Sequence, residues 1–502
     1  MTVSRSRGVT VVGVEGHLVD VEADISRGLP GLSIVGLADT AVTEARDRVR
    51  SAILNSGHEW PDRRVTIGLS PAWLPKRGSG LDLAVASALL HAVRAFPASA
   101  LAGTVLIGEL GLDGTVRSVR GVVTMAVSAR QQGVQRLIVP AGNHGEASLV
   151  SGIEVVGVAS LGHLVEVLLG RAKGCGAGSI PAAPEPDPPD LSEVRGQYEA
   201  RIALEVAAAG GHHMAMIGSP GVGKTMLAER LVGLLPDLDD ASSLEVTSIR
   251  SVSGRPLQGL VRRPPFEAPH HSASTAAIIG SGAGSTPRPG LVTLAHRGVL
   301  FLDEATEFRR DVLDSLRQPL ESGCVSIARA AFTTVLPARV QLVMAANPCP
   351  CGNVGADCIC GSLPRRRYLS RLSGPLMDRV DLRLTLSRPT AAELGDPFPA
   401  ESTRAVAARV LAARERAVAR MSGSGWSGNA AVPGPVIRRE WPMDDRVSES
   451  LAGSVTAGRL TMRGADRVLR IAWTLADLAE VARPRMHELG MALRLRDFSG
   501  AP

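Results

Sequence analysis

A glycine-rich loop at residues 218–225 constrains this chain more than any other feature. The loop matches the pattern G-x-x-x-x-G-K-[ST] at every fixed position. Residues 213–217 before it predict a short buried strand, and residues 226–232 after it predict a helix. A strand, a glycine loop and a helix N-terminus in this order direct several backbone N–H groups at one point, where they can hold a polyphosphate. We therefore expect ATP or GTP to bind at Gly218, Ser219, Pro220, Gly221, Val222, Gly223, Lys224 and Thr225.

The use of lysine supports this prediction. Among the 55 basic residues, only Lys76, Lys173 and Lys224 are lysines. Lys224 stands where a compact ammonium must reach the β- and γ-phosphates and where a planar guanidinium would not fit. The alternative, a glycine-rich turn that binds nothing, accounts less well for the complete spacing and its flanks.

Two adjacent acids follow an apolar segment farther along the chain. Residues 298–302 read Gly-Val-Leu-Phe-Leu and predict a central parallel strand that ends at Asp303 and Glu304. Asp303 would hold Mg²⁺ beside the Thr225 hydroxyl, and Glu304 would orient or deprotonate the attacking water. The alternative is that the acidic pair merely caps a helix starting near Ala305.

A third predicted strand, residues 340–346, ends at Asn347, whose amide could sense the γ-phosphate or position water. Farther on, Arg379 could reach the nucleotide of a neighbouring subunit as an arginine finger, and Arg371 is the rival for that role. The alternative for either arginine is an ordinary surface residue.

Four of the six cysteines fall in one short stretch with the spacing C-x-C-x₆-C-x-C, which departs from the common C-x₂-C knuckle. In a reducing compartment such a cluster fits a structural Zn²⁺ site better than disulfides, since cysteines one residue apart form a strained bridge. The alternative is four reduced cysteines without a ligand. The candidate zinc ligands are Cys349, Cys351, Cys358 and Cys360.

Composition limits the compartment and the partners. No segment approaches roughly 18 uninterrupted apolar residues, and the N-terminus lacks an apolar signal core, so we expect a cytoplasmic chain without membrane spans. The net charge of +6 is consistent with an anionic polymer partner such as DNA.

Segment composition predicts several domains in the 502 residues. An α+β unit covers residues 1–169, and a Gly/Ala/Pro-rich linker covers 170–190. An α/β nucleotide core follows over 191–388, and a helical region covers 389–502.

Two extra elements interrupt the predicted nucleotide core. An insertion between Lys224 and Asp303 contains the pair His270-His271, for which a structural or capping role is favoured over metal or phosphate binding. Residues 323–335 predict a β-hairpin with Arg329 at its turn, and in a ring this hairpin would point toward the pore.

These motifs, in this order, resemble the magnesium-chelatase-like AAA+ ATPases of bacteria, the family that includes the competence protein M branch-migration helicases. The segments that carry the resemblance are 28–37, 287–290, 294–304, 347–352 and 371–379. The resemblance implies an AAA+ P-loop ATPase core with a C-terminal helical lid. It further implies a hexameric ring with ATP clefts between subunits. It also implies that Arg379 acts in trans and that Arg463 supplies a second sensor arginine.

The first domain resembles the α+β, S5-like fold of Lon-type protease domains, whose catalytic dyad is Ser and Lys. Here the position of the nucleophile falls on Gly80 and that of the lysine falls on Met125. A peptidase without nucleophile and base has no chemistry to offer. We therefore interpret this domain as a DNA-facing or ring-organising module.

The function predicted from the sequence is an ATP-hydrolysing ring motor that acts on single-stranded or branched DNA, of the helicase or branch-migration type, in recombination or DNA uptake. The alternative is a chelatase-type ATPase that remodels a protein partner. A third interpretation, an ATP-dependent protease, requires the missing dyad.

Overall fold

Three regions follow one another in the fold: a mixed α/β region, a parallel-sheet region with the glycine loop, and a helical C-terminal region. The computed structural model describes residues 3–37, 39–76, 78–176, 186–282, 287–329, 332–353, 358–395 and 400–496. All predicted nucleotide and cysteine ligands lie in these ranges. The centre of the predicted linker (177–185) and the side chain of Arg329 lie outside the described residues.

The N-terminal region is built on a four-stranded mixed sheet of order β1-β2-β4-β3 and a three-stranded parallel sheet of order β5-β8-β9. Its apolar helix α2 packs against β1, β2 and α1. The helix that follows Asp39 is capped at its N-terminus, because the Asp39 carboxylate accepts a hydrogen bond from the Val42 N–H. The elements are β1 (Ser4–Val12), β2 (Glu15–Ser26), β3 (Gly31–Val35), α1 (Thr40–Asn55), β4 (Arg64–Ser70), α2 (Asp82–Ala92), β5 (Thr104–Leu106), β6 (Glu109–Leu110), β7 (Val116–Arg117), α3 (Val122–Gln131), β8 (Arg136–Pro140), α4 (His144–Ala147), β9 (Glu154–Val158) and α5 (Leu161–Leu168).

The second region contains a five-stranded sheet in which every neighbouring pair is parallel, in the order β11-β14-β17-β10-β18. Its elements are α6 (Tyr198–Gly210), β10 (Met214–Gly218), α7 (Lys224–Leu234), α8 (Asp240–Ser253), β11 (Phe266–Glu267), α9 (Thr275–Ile279), β12 (Gly280–Ser281), β13 (Arg288–Pro289), α10 (Leu291–Leu294), β14 (Val299–Leu302), α11 (Arg310–Ser315), α12 (Arg317–Ser322), β15 (Cys324–Arg329), β16 (Phe332–Pro337), β17 (Gln341–Ala346), α13 (Ser362–Leu369), α14 (Gly374–Met377) and β18 (Leu382–Leu386). The predicted hairpin is confirmed as the antiparallel pair β15–β16.

The order of the sheet explains how distant sequence motifs meet. The three central strands, β14, β17 and β10, are buried along their whole length, as expected for a parallel sheet covered on both faces. Because parallel strands end at the same edge, residues that follow their carboxyl ends converge there. Asp303 follows β14, Asn347 follows β17, and the glycine loop follows β10.

The C-terminal region is helical in its described part. Its helices are α15 (Ala391–Leu394), α16 (Thr403–Arg420), α17 (Gly434–Glu440), α18 (Asp445–Thr456), α19 (Met462–Leu478) and α20 (Met486–Arg494). The helices α16 and α19 share one hydrophobic cluster with α6 and α7 of the second region. Buried polar contacts also join the second region to the C-terminal region. The His212 ring lies 3.1 Å from Asp381 Oδ2 and 2.7 Å from Oγ1 of Thr474 on α19.

The N-terminal region also packs against the second region, an interface that the sequence did not predict. The helices α3 and α8 lie against each other and share a hydrophobic cluster that includes Val122, Val123 and Val246. The Thr124 hydroxyl donates to the Ser248 carbonyl at 3.3 Å. The long linker therefore joins two regions that are in direct contact.

Candidate functional site

The glycine loop lies between the end of β10 at Gly218 and the start of α7 at Lys224. Gly221 and Gly223 have φ angles of +78° and +94°, which side-chain-bearing residues rarely adopt. A Cβ built on Gly221 would meet no atom within 4 Å, so the loop is open on that side. The N-terminus of an eleven-residue helix at the edge of this open space is suited to bind a phosphate group.

Lys224 is only 9% exposed, and its ammonium is held by three acceptors. Its Nζ donates to the carbonyls of Gly218 at 2.6 Å and Ser219 at 3.0 Å, and to Asn347 Oδ1 at 3.0 Å. Burial lowers the pKa of Lys224, and the charges of the two predicted acidic residues, Asp303 and Glu304, oppose that shift. The structure thus brings Lys224 and Asn347 together.

Thr225 and Asp303 also meet, since the Thr225 hydroxyl donates to Asp303 Oδ2 at 2.8 Å. A hydroxyl beside a carboxylate is a donor set that fits Mg²⁺, which takes oxygen ligands and shares its remaining positions with water and phosphate. Residues 303–308 form turns and α11 begins only at Arg310, so the alternative of a helix starting near Ala305 is wrong.

Glu304 has a partner that the sequence analysis did not assign. Its backbone is left-handed, with φ of +49°, and its N–H donates to Asp303 Oδ1 at 2.9 Å. Its carboxylate Oε2 lies 3.1 Å from Nδ1 of His271. The ring of His271 in turn lies against that of His270, with centroids 4.1 Å apart. The histidine pair of the insertion therefore reaches the end of β14, whereas the sequence analysis favoured a structural or capping role for this pair.

Gln197 is a second residue that sequence reasoning missed. It precedes α6 with φ of +52°, and its amide donates to the carbonyls of Val222 at 3.3 Å and Ser387 at 2.6 Å. It therefore links the glycine loop to the segment after β18. A cavity of ≈ 260 Å³ beside it is lined partly by Tyr198 and Pro389.

The three candidate arginines lie at different places. Arg379 pairs with Glu321 at 2.5 Å and donates to the Pro375 carbonyl at 2.7 Å. The hydrogen bond from Arg379 and, less strongly, the charge of Arg463 lower the pKa of Glu321. Arg371 instead lies near the acidic turn, 3.3 Å from Glu307.

The four cysteines converge as the spacing predicted. Their sulfur atoms all lie within 4.8 Å of one another, and those of Cys349 and Cys351 are 3.2 Å apart. Cys349 is buried and the other three are half-buried. Hydrogen bonding from the Asn353 backbone N–H lowers the pKa of Cys351 to about 6, whereas burial raises the pKa of Cys349. Four sulfurs about 2.3 Å from a common Zn²⁺ would be about 3.8 Å apart, which fits the observed spacing.

The basic residues of the insertion have intramolecular partners. Arg262 pairs with Asp240, and Arg263 pairs with Asp187 at 2.8 Å. Separately, none of the helices in the described ranges has both the length and the apolar character that a membrane span requires.

The two predicted dyad positions of the N-terminal region face each other. A Cβ built on Gly80 would lie 3.8 Å from Cε of Met125, so a serine and a lysine at these positions would be neighbours. The nearby Lys76 is fully buried and donates to the Pro71 carbonyl, while Ser79 donates to Glu109. The residues present at the two positions have neither a nucleophile nor a base.

Sequence models of three related families match successive parts of the chain. "Subunit ChlI of Mg-chelatase" matches residues 21–143, "Magnesium chelatase, subunit ChlI" matches residues 190–394, and "Magnesium chelatase, subunit ChlI C-terminal" matches residues 400–496. The matches thus cover parts of all three regions of the fold.

Similar proteins match over nearly the whole length. An uncharacterized protein of Mycobacterium tuberculosis is 49% identical over 500 residues, 99% of each chain. The uncharacterized protein YifB of Escherichia coli is 43% identical over 93% of this chain and 92% of its own length. Competence protein ComM of Haemophilus influenzae is 38% identical over 95% of this chain and 94% of its own length. With the glycine loop, the paired acids and the parallel sheet already in place, these matches show that the chain belongs to the magnesium-chelatase-like family of AAA+ ATPases.

Proposed function

We propose that this chain is an ATP-hydrolysing ring motor that acts on DNA, of the helicase or branch-migration type, in recombination or DNA uptake. The observation that carries the ATPase part is the convergence of the glycine loop, Asp303 and Asn347 at the ends of three parallel strands. The similarity to a competence protein over 95% of the chain supports the DNA part.

Each residue at the strand ends has a role in this proposal. The backbone of residues 218–225 and the Lys224 ammonium bind the phosphates, and Asn347 is positioned through Lys224 to contact the γ-phosphate. Thr225 and Asp303 would hold Mg²⁺, which supplies positive charge to the β- and γ-oxygens. Glu304, whose carboxylate is held in place by His271, takes a proton from the attacking water.

Two arginines complete the site: Arg379 acts from a neighbouring subunit, and Arg463 of the helical lid supplies a second sensor arginine. Arg379 pairs with Glu321 and with the Pro375 carbonyl, both of which lie outside the glycine loop of its own chain. A guanidinium from the next subunit can stabilise the charge that spreads over the transferring phosphoryl oxygens. This arrangement requires a closed homo-oligomer, and we propose a hexameric ring.

The regions take separate roles. Residues 191–388 form the motor core and 389–502 the helical lid, which shares a hydrophobic cluster with the core. Residues 1–169, joined through the linker 170–190, form a Lon-protease-like module that organises the ring or contacts DNA. The proximity of Gly80 and Met125 supports the Lon-like comparison and argues against peptidase chemistry.

The proposal includes two further ligands, DNA and Zn²⁺. The hairpin β15–β16 contacts the DNA backbone, and its phosphate contacts make DNA binding depend steeply on salt concentration. Cys349, Cys351, Cys358 and Cys360 bind one structural Zn²⁺, because their sulfurs are spaced as a tetrahedral ion requires.

The test is ATP hydrolysis by the full chain with Mg²⁺, measured without DNA and with single-stranded, duplex and forked DNA. We expect forked or single-stranded DNA to increase turnover several-fold, and Lys224→Ala to abolish turnover on every substrate. Unwinding of forked DNA by the Lys224→Ala protein would contradict the motor assignment.

A second candidate is a chelatase-type ATPase that remodels a protein partner, which the three family matches favour. Such a motor shares the whole ATPase core but needs no DNA. ATP turnover that is indifferent to every DNA in the panel, yet lost in Lys224→Ala, would favour this candidate.

A further inference from the structure

The cysteine cluster lies against the nucleotide site rather than at a distance from it. We propose that a zinc ion bound by the four cysteines controls the affinity for Mg–ATP, by holding the loop after β17 against the glycine loop. The inference rests on the proposed nucleotide site and adds a metal-dependent control to it. Two independent contacts connect the cluster with that site.

The first contact runs through Asn347. This residue follows β17 directly and accepts a hydrogen bond from Lys224 Nζ at 3.0 Å. Cys349 stands two residues later and is buried. A metal ligand two residues away fixes the backbone that carries Asn347, and Asn347 in turn fixes the lysine that is to meet the phosphates.

The second contact joins Gly352 to Pro220 of the glycine loop. Gly352 has φ of +77°, and a Cβ built on it would lie 2.8 Å from both Cγ and Cδ of Pro220. The backbone of the cysteine loop therefore touches the outer side of the phosphate-binding turn. A shift of this loop by an ångström would either leave Pro220 unsupported or push into it.

The second half of the cysteine loop, residues 358–361, has little besides its sulfurs to hold it in this position, whereas Pro348, Cys349 and Gly352 of the first half are buried. Within the described residues, the two halves of the loop, 347–353 and 358–361, meet at the four cysteines and contain no helix or strand. The side chain of Ile359 is 90% exposed and cannot anchor the second half by burial. A metal ion that cross-links both halves therefore ties the exposed second half to the buried first half.

Zinc fits the cluster better than an iron–sulfur centre. All sulfur atoms lie within 4.8 Å of one another, which suits a single tetrahedral ion. A cluster of several irons would sit between the thiolates and hold them farther apart. The expected stoichiometry is one Zn²⁺ per chain.

The experiment compares zinc-loaded and zinc-stripped full-length chain. Metal content is measured by mass spectrometry, a chelator removes the zinc under reducing conditions, and the chelator is then exchanged for buffer with Mg²⁺. Calorimetry gives the Kd for Mg–ATP of each form. We expect the stripped chain to bind at least about tenfold more weakly, and one equivalent of Zn²⁺ per chain to restore the affinity.

Three variants separate the metal from general damage. Cys351→Ser should lose both the zinc and the affinity, whereas Cys175→Ser, which changes a cysteine outside the cluster, should keep both. Gly352→Ala should keep the zinc but bind Mg–ATP more weakly, because its methyl group meets Pro220. Circular dichroism and thermal unfolding of each variant identify any global loss of fold.

The outcomes distinguish this inference from the function on which it rests. Equal affinity of folded zinc-loaded and zinc-stripped chains would overturn the control by metal, as would stoichiometric iron in place of zinc or a chain purified without metal that binds Mg–ATP fully. Failure of the zinc-loaded, folded chain to bind Mg–ATP at all would overturn the proposed nucleotide site itself.

Discussion

Two buried lysines of this chain, Lys76 and Lys224, both lie beside glycine-containing segments but have different surroundings. Lys224 lies at the end of a glycine loop and is held by Gly218, Ser219 and Asn347. Lys76 of the N-terminal region precedes another glycine-containing segment, residues 78–80, but donates to a carbonyl of its own loop. Burial lowers the pKa of both lysines, and nearby carboxylates oppose that shift only at Lys224.

The two lysines differ in the groups that converge around them. Around Lys224, three parallel strands end together and bring an amide, a hydroxyl and two carboxylates to one edge. In the N-terminal region, the two positions predicted for a protease dyad are occupied by Gly80 and Met125. The groups around Lys224 fit the proposed nucleotide site, whereas Gly80 and Met125 offer neither a nucleophile nor a base.

The largest expected effect tests whether an adjacent subunit completes the nucleotide site at Lys224. Arg379→Ala should lower ATP turnover about 10³-fold, because the transition-state charge loses its guanidinium. Arg371→Ala, whose arginine pairs with Glu307 at the surface, should change turnover less than about threefold. The measurement is steady-state ATP hydrolysis at saturating ATP.

Mixing subunits tests whether Arg379 acts in trans. Arg379→Ala and Lys224→Ala subunits are each inactive, but a mixed ring contains interfaces with one intact glycine loop and one intact Arg379. We therefore expect the mixture to recover part of the turnover. No recovery in rings shown to be mixed, or a larger loss in Arg371→Ala, would contradict the assignment.

A smaller loss of ATP turnover is expected when the nucleotide site loses its proposed base, Glu304. Glu304→Gln should reduce turnover by about 10²-fold while leaving Mg–ATP affinity nearly unchanged, because the glutamine keeps the shape but cannot take a proton. Single-turnover hydrolysis and equilibrium binding measure the two quantities. Full turnover in this variant would assign the base to another residue.

The contact of His271 with Glu304 sharpens the comparison further. His271→Ala should lower kcat about fivefold with little change in KM, as expected when a hydrogen bond worth about 1 kcal/mol no longer positions the base. His271→Asn should recover part of the rate. A large change in KM with unchanged kcat would place His271 in substrate binding instead.

The smallest effect is expected at the other lysine. Lys76→Met should leave ATP turnover within about twofold and should leave the free energy of unfolding unchanged or raise it by about 1 kcal/mol, because an apolar side chain of similar size relieves a buried amine. Urea unfolding and ATP hydrolysis test both statements. A strong loss of ATP turnover would show that the surroundings of Lys76 are coupled to the nucleotide site.

The sequence predicted those parts of the site that local pattern controls. The loop at 218–225 and the apolar strands before Asp303 and Asn347 are encoded in consecutive residues, and the structure has strands at β10, β14 and β17 accordingly. The Asp39 cap was predictable for the same reason, since a cap involves only a few neighbouring residues.

The contacts that the sequence did not predict join residues far apart in the chain. His271 meets Glu304 only because the insertion folds back over the end of β14, and Gly352 meets Pro220 only because β17 lies beside β10. Periodicity and spacing carry no information about such pairs. The docking of α3 on α8 was hidden for the same reason, although both helices have an apolar face.

Calorimetric titration of the full, zinc-containing chain with ATP and Mg²⁺ tests the central claim most directly. The claim is that Lys224, Thr225 and Asp303 form one nucleotide site at the ends of the parallel strands. It predicts one ATP per chain, at least about 10²-fold weaker binding in Lys224→Ala, and unchanged binding in Lys76→Met. Absence of binding by the folded chain, or equal binding by the wild type and Lys224→Ala, would contradict it.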